Sequence, residues 1–121
     1  MHQLMGREDF ENLLRSLARG LIRQGESELQ RQPWLAIVLD VRFDHQGGFI
    51  DKIRAATSNG AVSVSMPTDM ALLVLSLDSL RCELLDDRWY GFRLTVSANQ
   101  QCDMEYNYDP NCADDPTFYA D

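Results

Sequence analysis

A chain of 121 residues, 45% apolar and 25% charged, is long enough to bury a core without disulfide or metal support, and its composition excludes disorder and fibrous repeats. The formal net charge of −8 is unevenly spread: residues 1–60 carry eight Lys/Arg and eight Asp/Glu, residues 61–121 carry three and eleven, and no Lys or Arg follows Arg93. An acidic half of this kind repels phosphate backbones, which argues against direct nucleic-acid binding and favours a basic protein partner; the plainer alternative is that net charge keeps a small protein soluble.

Three cysteines, Cys82, Cys102 and Cys112, show no CxxC spacing, and an odd number does not complete a disulfide framework. A reducing, cytoplasmic location is therefore expected. Cys82 is expected to pack as a small hydrophobe and Cys112 to lie exposed in a tail. The first residues lack the apolar core of a signal peptide, and the longest apolar run, Met70 to Leu75, is too short to span a bilayer.

From Arg7 onward, Phe10, Leu13, Leu14, Leu17, Ala18, Leu21 and Ile22 recur at three and four residues and predict an amphipathic helix. Glu8, Asp9 and Glu11 are placed in its first turn, and Gly25 is expected to end it. Arg15, Arg19 and Arg23 read as a solvated face. Pro33 then opens a strand with Leu35, Ile37, Leu39, Val41 and Phe43 on one face; its first half looks buried on both, which places it centrally. Asp44 to Gly48 reads as a hairpin turn, Phe49 to Ala56 as the returning strand, Ser58-Asn59-Gly60 as a type I′ turn, and Ala61 to Met66 as a third strand.

After Pro67, either Thr68 or Asp69 is a plausible N-cap for a second helix, with Met70, Leu73, Leu77, Leu80 and Leu84 at helical spacing and an end near Leu85. Asp86-Asp87-Arg88 breaks that pattern. Arg88 to Ser97 has the aromatic and β-branched content of a strand, in which Gly91 marks a bulge or a close backbone approach. Ala98 to Gln101 is a polar turn. Beyond it Cys102, Met104, Tyr106 and Tyr108 point one way and Asp103, Glu105, Asn107 and Asp109 the other. Pro110 should stop that strand and release an acidic tail, Asn111 to Asp121. The expected architecture is a single α+β domain over residues 1–121, in the order α-β-β-β-α-β-β, with an antiparallel sheet and helices packed against it.

Residues that carry chemistry are sparse. His2 and His45 are the only imidazoles, Lys52 is the only lysine and reads as an exposed edge charge, and neither a phosphate loop nor a dinucleotide fingerprint occurs. Glu105, Asp109, Asp114 and Asp115 could gather a hard cation, but their spacing fits no EF-hand loop. No catalytic residue, cofactor or metal is assigned. A hydrolase using carboxylates around Asp109 is the weakest reading. Tyr106, Tyr108 and Tyr119 lie among Glu105, Asp109, Asp114 and Asp115, and rigid aromatics beside desolvatable charges are what protein interfaces use. These seven residues are the candidate partner-binding set.

The stretches Trp89-Tyr90-Gly91-Phe92-Arg93-Leu94-Thr95-Val96 and Asp103-Met104-Glu105-Tyr106-Asn107-Tyr108-Asp109 resemble the C-terminal hairpin of the YezG-like immunity proteins, bacterial antitoxins encoded beside polymorphic or contact-dependent growth inhibition toxins. The short N-terminal lead and the tail containing Cys112 depart from that family's pattern. The resemblance implies a cytoplasmic protein that neutralises a toxin domain, often a nuclease, by stoichiometric occlusion of a basic cleft. The alternative is a small acidic adaptor or regulatory subunit that docks another basic protein.

Overall fold

The structure, a computed structural model, describes residues 2–84 and 88–119 and, over residues 2–8, the backbone alone. Its elements follow the expected order: α1 (His2–Leu29), β1 (Ala36–Phe43), β2 (Phe49–Thr57), β3 (Gly60–Val64), α2 (Thr68–Arg81), β4 (Gly91–Ser97) and β5 (Cys102–Asn107), then a short 3-10 turn at Cys112–Asp114. The strands make one antiparallel sheet ordered β3-β2-β1-β4-β5, with β1 at the centre as anticipated.

Side chains alternate across a strand, so Ile37, Leu39, Val41 and Phe43 point to one face of β1 and are buried, as are Phe92, Leu94 and Val96 of β4. Leu17 and Leu21 of α1 and Met70, Val74 and Leu77 of α2 join them in a single core. Both helices therefore cover one face of the sheet. Leu35, expected to extend the buried row of β1, is 64% exposed, because the strand begins one residue later. At one end of the core Trp89 meets Phe10, Phe43, Phe92 and Tyr106, with ring centroids 5.3–6.1 Å apart.

Several boundaries differ from expectation, each for a local reason. α1 starts at His2, so Glu8, Asp9 and Glu11 lie beyond its first turn. Gly25 does not end it; the helix crosses β1 there, and a Cβ on Gly25 would run into the terminal methyl of Ile37. Leu29 is buried, and the chain leaves the helix only where Gln30 and Arg31 adopt φ of 49° and 75°. In the β2–β3 turn Ser58 and Asn59 keep negative φ, and Gly60 takes +113°. The turn is therefore not type I′ but one whose positive φ falls a residue later.

The N-cap of α2 is Pro67, with no side-chain cap; Asp69 Oδ1 instead accepts the Met70 N–H. α2 ends at Arg81, which leaves Leu84 beyond it and Cys82 exposed. The expected end near Leu85 is therefore four residues too late, and the break expected at Asp86 and Asp87 lies outside the described residues.

Gly91 is a close backbone approach, as expected. A Cβ there would stand 2.7 Å from the Val41 carbonyl oxygen and 3.3 Å from Cys112 Sγ. The carbonyl belongs to the central strand and cannot move aside, so Gly91→Ala is expected to lower stability by roughly 1–3 kcal/mol in denaturant melts.

Candidate partner-binding surface

The face of the sheet away from the helices is organised by register. Lys52 of β2 stands opposite Asp40 of β1, Asp40 opposite Arg93 of β4, and Arg93 opposite Glu105 of β5. One row across four strands thus reads plus, minus, plus, minus. Opposite charges directly across a ladder attract, and the Arg93 Nε–H donates to Asp40 Oδ1 at 2.8 Å. Lys52 is consequently not an edge charge but part of an interior strand. Neighbouring positions add Arg54, paired with Val38, and Asp103, paired with Thr95.

Two side-chain turns redirect the chain after β5. Asn107 Oδ1 accepts the Asp109 N–H and Asp109 Oδ1 accepts the Asn111 N–H, each at 2.9 Å. The chain then runs back across the end of the open face. The acidic tail is accordingly not released, contrary to expectation. Cys112 is buried, 3% exposed, with its thiol 3.4 Å from the Tyr90 carbonyl. Phe118 is buried beneath two cations: the Arg42 guanidinium lies 4.7 Å and the Lys52 ammonium 4.9 Å from its ring centre. Lys52 also donates to the Phe118 carbonyl at 2.6 Å, and Arg42 donates to the Cys112 carbonyl at 2.9 Å and to Asp115 at 3.2 Å.

The seven candidate residues consequently divide. Glu105 is exposed on the open face at the end of the charge row. Tyr106 lies on the helix side of the same strand against Trp89 and Phe10 and is still 36% exposed; partial burial, with Tyr108 nearby, pushes its phenol above the usual range. Tyr108 and Tyr119 are 55% and 61% exposed, the latter edge-on to Phe118. Asp109 and Asp114 are exposed, in the turn and in the 3-10 segment. Asp115 is tied to the fold. The hydroxyl and amide of Thr117, followed by the Arg42 guanidinium, hold its carboxyl down at about 2.

Sequence reasoning missed Asp40, Arg42 and Arg93 as partners of this surface and Phe118 as the anchor of the tail. A signal for the first group existed: once the Asp44–Gly48 turn is placed, the β1–β2 register puts Asp40 opposite Lys52. Among the described residues, no group of three or more His, Cys, Asp or Glu is arranged to hold a metal ion, and no helix is long and apolar enough to cross a membrane.

Two measurements check the docked tail. Cys82 and Cys102 are exposed and should label promptly with a thiol reagent at neutral pH. Cys112, whose thiol burial pushes up, should label slowly until Phe118→Ala lifts the tail and raises its rate roughly tenfold or more, read by mass spectrometry of the labelled peptides. The Asp115 carboxyl is lowered from 3.8 to about 2 on folding, so its contribution to stability is present above about pH 4 and lost as pH falls toward about 2. The stability difference between wild type and Asp115→Asn should vanish over that window.

Compared with known protein families, the chain matches no family model, and no curated protein matches it.

Proposed function

We propose that this chain is an immunity protein of the YezG-like kind, which binds and neutralises a basic toxin domain encoded beside it by covering that domain's working cleft. The supporting observation is the joint exposure of Glu105, Tyr108, Asp109, Asp114 and Tyr119 on the segment that contains no Lys or Arg after Arg93. The docked tail makes this segment a shaped surface rather than a loose acidic arm. Less entropy is then lost when a partner binds. In this reading Glu105, Asp109 and Asp114 provide the field that steers a basic cleft into place, and Tyr108 and Tyr119 provide apolar contact area. Tyr106 and Asp115 act from beneath, the first by fixing β5 against Trp89 and the second by fixing the tail against Arg42. If the toxin is a nuclease, its cleft is basic because it holds phosphates.

The test is titration of the purified chain with the toxin domain encoded by the adjacent gene. One-to-one binding that abolishes the toxin's activity and weakens as salt is raised is expected. Glu105→Lys combined with Asp109→Lys should slow association by roughly tenfold or more and flatten the salt dependence, because both changes remove attraction at long range. Absence of a complex, or a complex indifferent to both substitutions, refutes the reading.

A further inference from the structure

We infer that β5 is a docking edge, to which an extended basic segment of the partner protein adds as a sixth strand. The inference rests on the protein-binding reading above and specifies how the partner is held. β5 is the terminal strand of the sheet, so one side of its backbone is not used by β4. The Ser97 N–H to Gln101 carbonyl bond at 2.9 Å sets the phase of the β4–β5 ladder. Because hydrogen-bonded pairs alternate in an antiparallel ladder, Asp103 and Glu105 bond inward to β4, while Cys102, Met104 and Tyr106 turn their N–H and C=O groups outward. That row is a template for another strand.

The space beside the row is already shaped. A groove of about 400 Å³ lies between α1 and β5. Leu14, Ala18 and Ile22 line it from the helix together with Arg15 and Arg19, and Leu94, Cys102 and Met104 from the sheet together with Gln100 and Asp103; most of the exposed lining is apolar. An added strand would send every second side chain into this apolar groove. Its other side chains would lie on the open face beside Asp103 and Glu105.

Charge identifies the occupant. The row Lys52, Asp40, Arg93, Glu105 alternates in sign up to the edge, and the next residue in it is electrostatically favoured to be a Lys or Arg. A second copy of this chain does not meet that requirement. Pairing two β5 edges in one continuous sheet about a two-fold axis sets Asp103 and Glu105 of one copy beside the same acids of the other, which is repulsive. The fitting partner is therefore an extended segment of another protein, apolar at alternate positions and basic between them.

A short peptide of alternating valine and lysine is the direct probe. Added to the full chain, it should slow exchange of the Cys102, Met104 and Tyr106 amide protons, whereas a valine–glutamate peptide should not. Met104→Pro removes an outward N–H at a position where an edge strand tolerates proline. It should keep the wild-type circular dichroism while weakening the valine–lysine peptide roughly tenfold, the loss expected for one or two backbone hydrogen bonds. Leu14→Glu, which puts a charge on the groove wall, provides a second route to the same loss should the proline variant fold poorly. Failure of the peptide to bind, binding without protection of those amides, or self-association of the free chain that protects them would overturn the inference. Toxin affinity that falls with the Glu105 and Asp109 reversals but not with Met104→Pro would overturn strand addition alone and leave the acidic-surface reading standing.

Discussion

The register of β1 against its two neighbours is the constraint on which the remaining structure depends. Ile37, Leu39, Val41 and Phe43 face the helices, and a slip of one residue would exchange them for Val38, Asp40 and Arg42. Burying Asp40 and Arg42 under α1 and α2 would cost far more than any pair they could make there. Hydrophobic burial on one face thus dictates which residues occupy the other. The charge row of the open face follows from that choice without further instruction: Asp40 takes Lys52 and Arg93 as neighbours because the buried alternates are already placed. Folding energy and surface pattern are set by one register.

The same register explains where the tail goes. Arg42 sits opposite Gly91, and the missing side chain at Gly91 leaves room for Cys112 Sγ to approach. The tail therefore has a socket, and Phe118 closes it under Arg42 and Lys52. Among these contacts the Arg42–Asp115 pair is the weaker stabiliser, since solvent screens an exposed ion pair and holding two side chains in one geometry costs entropy. Burial of Phe118 and Cys112 contributes more, on the order of 2 kcal/mol for the ring alone. The ion pair instead selects orientation: it turns Asp115 inward and leaves Asp114 on the surface.

Much of the fold was legible because the strongest signals were periodic. The stripe from Phe10 to Ile22 and the alternation from Ile37 to Phe43 each identify an element and its buried face. What was not legible depended on contacts distant in sequence. Gly25 reads as a helix stop by local propensity and is instead the point where α1 passes over Ile37. Lys52 reads as an edge charge although the turn at Ser58 to Gly60 already sets β3 beside β2; what nothing local reveals is that Phe118 arrives over it from the far end of the chain. The acidic tail reads as free because its one anchoring ring is outnumbered by polar residues. Composition cannot show that a single phenylalanine finds two cations. Of the candidate partner-binding set, Glu105, Tyr106, Tyr108, Asp109, Asp114 and Tyr119 are exposed and Asp115 is half-buried. At Tyr106 and Asp115 an aromatic neighbour and an arginine claim the side chain.

The two edges of the sheet are not equivalent, and the difference bears on how the molecule meets others. β3 is five residues of small side chains, Gly-Ala-Val-Ser-Val, and just beyond it the Ser65 N–H is already taken by Glu28 Oε2 at 2.7 Å, so α1 closes that end. β5 carries acids on its solvent side and lies beside an open groove that is mostly apolar and also bears Arg15 and Arg19 of α1. Acidic residues on an edge discourage pairing with a second copy, which presents the same sign, yet they attract a strand of opposite charge. An edge that rejects its own copy and accepts a basic strand needs both features together. Charge on the open face and apolar space behind the strand supply them from alternate residues of the same six-residue segment.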